Sequence, residues 1–136
     1  MTGREASIFA CLVDAAVAPG PPLPAVADTD AVPFFAGYLK RCPLPNHWAL
    51  RGALLALELG PRVLGYGGRL RQLSAPRRVA YLTQLERGAT QPLAKALLGV
   101  AQLAYYGDAQ VMALLGYDAQ ARVDRGRELR RAERRW

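Results

Sequence analysis

Apolar residues recur every three or four positions along most of the chain, a pattern that predicts α-helices. The pattern is strongest from Gln91 to Tyr106, where apolar side chains leave so little polar surface that this helix should lie at the centre of the fold. Shorter repeats of the same kind follow Thr2, Asp28 or Asp30, Asn46 and Ser74. No segment alternates between apolar and polar residues as a strand does. The sequence therefore predicts an all-α fold, an irregular bundle of five or six helices.

Several residues predict where these helices begin and end. Thr2 and Glu5 have the spacing of a capping box at the start of the first helix. Gly107 and Asp108 should end the central helix, with Asp108 capping a short following helix. Gly116 then suits the left-handed residue that closes that short helix.

Proline and glycine also predict the connections between helices. Four prolines within residues 19–24 predict a stiff, extended strap after the first helix. Gly60 and Pro61 should halt or kink the helix that Asn46 begins. The glycine-rich loop at residues 65–68 has neither a preceding strand nor a following Lys-Ser or Lys-Thr, so the pattern does not indicate nucleotide binding.

The composition describes one globular domain. Its 136 residues are 51% apolar and 21% charged, which is enough apolar material for a core and unlike a disordered chain. No apolar run reaches the roughly 18 residues of a membrane span. The N-terminal stretch lacks the pattern of a secretory signal. On these grounds we expect a cytoplasmic protein.

The net charge of +7 is concentrated at the C-terminal end. Residues 119–136 contain seven arginines and three acids, a balance of +4. We therefore expect a helical domain at 1–118 and an arginine-rich tail or helical arm at 119–136. One alternative function is a small basic nucleic-acid-binding protein that uses this tail. The central helix carries only Lys95, however, so such binding would be weak and non-specific.

Side chains suited to catalysis are few and scattered. His47 is the single histidine, and without several cysteines near it no ordinary zinc site can form. We expect His47 to bond to backbone or solvent rather than activate Cys42, and Cys11 to be an unpaired, buried thiol. The acids, among them Glu58 and Asp108, mostly stand where a helix cap or a solvated face explains them. Without a Rossmann pattern the chain should bind no flavin, and we predict that it is not an enzyme alone.

The segment from Gln91 to Asp118 carries a resemblance to a known family. Its sequence LAYYGDAQVMALLGYD resembles the closing motif of the small-subunit family named after gluconate 2-dehydrogenase subunit 3. It is also similar to the N-terminal helical region of some long-chain alcohol oxidases. The shared form is an aromatic pair, a small residue with Asp, a short helix and a Gly-Tyr close. Residues 6–24 and 70–86 are similar to the family's opening and middle segments, so the likeness spans residues 5–118.

This resemblance implies that the chain acts through a partner. It implies a non-catalytic small subunit in a hetero-oligomer with a flavoprotein of the glucose–methanol–choline (GMC) oxidoreductase family, which oxidises an alcohol or sugar hydroxyl. FAD would be held by that large subunit, whose folding, flavin loading and stability the small subunit would support. The sequence departs from the family at Ala109, where proline is common, and in lacking the twin-arginine export signal of some relatives. Another possibility is a detached N-terminal domain of a larger alcohol oxidase.

Aromatic residues are more numerous near predicted helix ends and loops than one small core needs. They are Phe34, Phe35, Trp48, Tyr66, Tyr105, Tyr106 and Tyr117. Tyrosine and tryptophan are frequent anchors of protein interfaces. The expected partner contacts are Tyr105, Tyr106, Asp108, Tyr117, Pro22, Pro24 and Trp136. For each of these aromatic residues, the alternative is that it completes the core.

Overall fold

The computed structural model describes residues 1–88 and 90–133. Within them the chain forms seven α-helices and no strand. The helices are α1 (Gly3–Val17), α2 (Ala31–Arg41), α3 (Leu44–Val63), α4 (Ala75–Arg87), α5 (Gln91–Tyr106), α6 (Ala109–Leu114) and α7 (Ala119–Glu133). Short 3₁₀ helices occur at Val26–Asp28 and Leu70–Gln72. The all-α prediction is confirmed. Six of the helices lie within residues 1–118, and the seventh, α7, lies in the segment for which a tail or a helical arm was expected.

The core is built around α5, as the apolar pattern predicted. This helix packs against α1, α2, α3 and α4. Its inward face consists of Ala94, Leu97, Ala101, Ala104 and Tyr105, all buried. Phe9 of α1 stacks on Phe35 of α2, with ring centroids 4.0 Å apart and planes 7° from parallel. Both rings are fully buried, so part of the predicted aromatic surplus belongs to the core.

The predicted capping box begins α1 and also fastens α3. The Glu5 N–H donates to Thr2 Oγ1 at 3.3 Å, and the Thr2 N–H donates to Glu5 Oε2 at 2.6 Å. Arg51 of α3 donates from Nε to Glu5 Oε1 at 2.6 Å. Burial of Glu5 by itself would raise its pKa, but the hydrogen bonds from Thr2 and Arg51 outweigh burial, and the pKa is lowered. One carboxylate thus links a local cap to a tertiary contact.

The start of α3 differs from the prediction. Asn46 lies inside the helix, which begins at Leu44 with Pro43 in the capping position. Pro45 stands in the first turn, where a backbone N–H would have no helical partner, so a proline is well placed there. His47 then reaches back to α2, where its Nδ1 lies 2.9 Å from the Leu39 carbonyl oxygen. The expected hydrogen bond from His47 to backbone is confirmed.

Gly60 and Pro61 were predicted to halt or kink α3; the halt is wrong, because α3 continues through Pro61 to Val63, and the kink stays a prediction. Pro61 has no N–H to donate to the Leu57 carbonyl, one helical turn earlier. The Tyr81 hydroxyl of α4 donates to that carbonyl at 3.2 Å in its place. A Cβ on Gly60 would overlap this hydroxyl, so glycine is needed at that position. A hydrogen-bond donor from α4 therefore replaces the N–H that Pro61 lacks, and α3 remains helical through this residue.

Other local predictions have mixed outcomes. Gly116 has φ +66°, the predicted left-handed conformation. Asp30 and Ser74 occupy capping positions, but neither side chain bonds to its helix. Cys11 and Cys42 are half-buried, unpaired thiols, and burial raises the pKa of Cys11. No helix among the described residues is long and apolar enough to cross a membrane.

Candidate partner interface

The side chain of Tyr105 fastens the proline-rich segment to the central helix. It is fully buried, and its hydroxyl donates to the Pro24 carbonyl at 2.6 Å. Burial is the main reason why the pKa of this phenol is raised. Tyr105 was expected to contact a partner, and that expectation needs correction, because the buried side chain leaves no surface for one. The segment itself includes a turn, in which the Leu23 N–H donates to the Gly20 carbonyl.

Asp108 joins the start of α6 to the start of α2. Its Oδ1 accepts the N–H groups of Gln110 at 2.8 Å and Val111 at 3.3 Å, which confirms the predicted helix cap. Its Oδ2 accepts the N–H of Asp30 at 2.9 Å, 78 positions away along the chain. The bond from Asp30 is the largest cause of the lowered pKa of Asp108, and the two capping bonds add to it. The carboxylate is therefore occupied by internal hydrogen bonds.

We expect Asp108→Ala to lower the free energy of unfolding at pH 7 by about 1–2 kcal/mol, the usual range for a lost helix cap. The folded pKa lies below the unfolded one, so the unfolded chain takes up more protons on acidification. The stabilisation is thus complete above about pH 4 and is lost as the pH falls through the folded pKa. Urea unfolding of the parent and of Asp108→Ala at pH 3 and at pH 7 measures the loss of stability at each pH.

The control for this substitution is Asp28→Ala, which removes an exposed aspartate from the nearby 3₁₀ helix. We expect it to change stability by less than about 0.5 kcal/mol. An Asp108→Ala effect of the same size at pH 3 and pH 7 would contradict a role for the ionised carboxylate.

The end of α5, the end of α6 and the turn after it leave large apolar side chains on the surface. We call this set the corner surface: Leu103, Tyr106, Leu114, Leu115 and Tyr117. Tyr106 is 41% exposed and Tyr117 is 45% exposed. A shallow depression of about 550 Å³ is lined by Tyr117 together with residues of α6 and the start of α7. Tyrosines with an exposed ring are suited to protein contacts, so the corner surface is the candidate interface.

The remaining candidate residues have different environments. Pro22 is exposed, whereas Pro24 is half-buried and bonded to Tyr105. Trp136 lies outside the described residues. Tyr66 is half-buried, and its hydroxyl donates to Gln84 Oε1 at 2.7 Å. Of the expected contacts, Tyr106, Tyr117 and Pro22 therefore lie on the described surface.

The sequence reasoning missed one exposed surface, on the outer side of α3. Trp48 was noted there only as one of many aromatic residues, but its ring is 63% exposed. The Arg51 guanidinium lies over this ring, 5.1 Å from its centroid. Exposed apolar residues follow Trp48 at helical spacing along α3. The helical spacing of these residues in the sequence could have shown that α3 has a second apolar stripe besides its buried one.

The arginine-rich helix α7 is exposed along its described length. Its described arginines are Arg122, Arg125, Arg127, Arg130 and Arg131. At 3.6 residues per turn these positions are spread around most of the helix, so they form no single basic face. Arg122 lies over the Tyr117 ring at 4.8 Å, and Arg127 pairs with Asp124 at 3.2 Å. The helix therefore adds positive charge near the corner surface rather than a nucleic-acid recognition face.

Among residues 1–88 and 90–133, no group of three or more His, Cys, Asp or Glu side chains is placed to hold a metal ion. The structure thus describes an all-helical domain whose most evident surface features are apolar. Comparison with protein-family models, curated proteins and solved structures finds no match to this chain.

Proposed function

We propose that this chain is a non-catalytic accessory subunit that binds and stabilises a larger flavoprotein. The single observation that carries the binding role is the corner surface, where two tyrosines and three leucines remain exposed although the chain has a complete core elsewhere. Burial of such groups against another protein is favourable by roughly 25 cal/mol per Å² of apolar surface. We therefore expect another protein to cover the side chains of the corner surface.

The identity of the partner rests on the resemblance of the closing motif, in which the corner surface lies. That motif indicates a GMC-type oxidoreductase that holds FAD and oxidises an alcohol or sugar hydroxyl. The accessory subunit would support folding, flavin loading and stability of this large subunit by covering an apolar part of its surface. A role in nucleic-acid binding is less well supported, because the arginines of α7 form no single basic face.

The test is co-expression of the tagged chain with a GMC-type flavoprotein from the same organism. We expect a yellow complex, with flavin absorbance per large subunit that falls when the small chain is omitted. Tyr106→Ala and Tyr117→Ala should each weaken the complex about tenfold or more, since exposed tyrosines at the centre of an interface carry much of its energy. Isothermal titration of the purified subunits measures the affinity.

Tyr38→Ala is the matched control, because Tyr38 is 42% exposed but lies on α2, outside the corner surface. It should leave the affinity within about twofold of the parent. If the large subunit loads its flavin fully without the small chain and the two proteins elute separately, the proposed function is wrong. If they bind but the two tyrosine variants bind as tightly as Tyr38→Ala, the corner surface is not the interface.

A further inference from the structure

A pocket lies where α1, α4 and α5 meet, and we call it the α4–α5 pocket. Its volume is about 290 Å³, just below the range of roughly 300–1,000 Å³ that is usual for pockets of drug-sized ligands. The apolar part of its lining includes Ala15, Ala16, Leu82 and Leu98. Leu82 is buried and the other three are half-buried, so the apolar part forms the floor of the pocket. The pocket therefore suits a small molecule with an apolar body.

The polar part of the lining contributes one negative and one positive charge. Its residues are Thr83 and Glu86 of α4 and Lys95 and Gln102 of α5. Among residues 1–88 and 90–133, Glu86 and Lys95 form no ion pair with each other or with a third residue. Each charge is therefore available to an opposite charge on a ligand, in a charge-assisted hydrogen bond. The hydroxyl and the carboxamide add neutral donors and acceptors beside the two charges.

Gly99 leaves part of the α5 wall of this pocket to the helix backbone. It lies inside α5, where glycine destabilises a helix relative to alanine. A Cβ added at Gly99 would meet no other atom within 4 Å, so no neighbouring helix requires the missing side chain. A larger side chain at this position would therefore occupy space in the pocket without displacing atoms of the protein.

We propose that the α4–α5 pocket binds a small zwitterion with an apolar body, the class to which the apolar α-amino acids belong. The ammonium group of the ligand bonds to the Glu86 carboxylate, and the carboxylate of the ligand bonds to the Lys95 ammonium group. The apolar body lies against Leu82 and Leu98. A ligand with a single charge would leave either Glu86 or Lys95 without its partner. The pocket shares no residue with the corner surface, so this inference is independent of the proposed function.

The test is a titration of the isotope-labelled full chain, followed through its backbone amide signals by NMR. The zwitterionic probes are L-leucine and L-phenylalanine, each added to about 10 mM. The comparison ligands are L-leucinamide, which keeps only the positive charge, and N-acetyl-L-leucine, which keeps only the negative charge. We expect L-leucine to shift the signals of Gly99 and of residues 82–86. It should bind about tenfold or more tightly than either comparison ligand, since each of these lacks one charge-assisted bond.

Two charge-removing variants assign the two ends of the ligand. Glu86→Gln should abolish the preference for L-leucine over N-acetyl-L-leucine, because the ammonium group then has no carboxylate to bind. Lys95→Met should abolish the preference for L-leucine over L-leucinamide for the corresponding reason. The matched controls are Lys40→Met on α2 and Glu128→Gln on α7, which remove exposed charges outside the pocket and should keep both preferences.

A third variant fills the pocket. Gly99→Leu should weaken binding of L-leucine about tenfold or more, because the added side chain occupies the space of the apolar body. Gly52→Leu is the matched control, since Gly52 also lies inside a helix with no atom within 4 Å of an added Cβ, but does not line the pocket. Both variants replace a glycine with a better helix former, so both should keep the fold. Circular dichroism checks this.

The inference is overturned if neither amino acid shifts the signals of the pocket, or if the ligands with one charge bind as tightly as L-leucine. Binding by Gly99→Leu that equals binding by Gly52→Leu would also overturn it. If Glu86→Gln and Lys95→Met lower the free energy of unfolding but leave the ligand preferences unchanged, the two residues pair with each other and the inference is wrong. The proposed function is tested separately, by co-expression with the flavoprotein.

Discussion

Arg71→Met should lower the free energy of unfolding by about 3 kcal/mol, at the lower end of the range for breaking a buried ion pair because the guanidinium is partly exposed. Glu58 of α3 is fully buried, and Arg71 Nε lies 3.0 Å from its Oε1. The Arg71 N–H adds a longer hydrogen bond, 3.4 Å, to Oε2. Removing the guanidinium leaves a buried carboxylate whose remaining support is this weak backbone bond. Chemical denaturation at neutral pH measures the loss.

The second variant needed for this prediction is the double substitution Glu58→Leu with Arg71→Met. Replacing both members of a buried pair with apolar residues is often neutral or stabilising, because neither charge then has to be desolvated. We expect the double variant to recover most of the stability that Arg71→Met loses. If Arg71→Met costs less than about 1 kcal/mol, or the double variant is the less stable of the two, the pair does not act as described.

Tyr81→Phe should lower the free energy of unfolding by about 1–3 kcal/mol, the cost of leaving a buried carbonyl without a partner. The Leu57 carbonyl has lost its helical partner to Pro61 and accepts the Tyr81 hydroxyl instead. Burial raises the pKa of Tyr81 to about 12, as expected for a phenol held away from water. The substitution removes the hydroxyl while keeping the ring in the core.

A double-mutant cycle with Pro61→Ala isolates the mechanism. Alanine at position 61 restores the N–H that can bond to the Leu57 carbonyl, so Tyr81→Phe should cost less in that background. We expect a coupling energy of about 1 kcal/mol between the two positions. Tyr66→Phe is the control, since its hydroxyl bonds to exposed Gln84 and its loss should change stability by less than about 0.5 kcal/mol. If the effects of Tyr81→Phe and Pro61→Ala are strictly additive, the Tyr81 hydroxyl does not replace the N–H that Pro61 lacks.

The sequence by itself determined the local features of this protein. The apolar repeat predicted the helices and the central place of α5, and the capping residues Thr2, Glu5 and Asp108 predicted two helix starts. The left-handed residue Gly116 was also predicted. These features depend on groups within a few positions of one another, so a single stretch of sequence contains the physical cause.

Only the tertiary structure decided which side chains are buried and what they bond to. Tyr105 was expected at an interface, but its hydroxyl bonds to the Pro24 carbonyl, 81 positions away. Glu58 was expected on a solvated face or at a helix cap, but it is buried against Arg71. A halt of α3 at Pro61 was one expected outcome, but the helix continues through Pro61, and Tyr81 supplies the missing hydrogen-bond donor. Each outcome depends on a partner from a distant segment, and a local pattern carries no information about which segments meet.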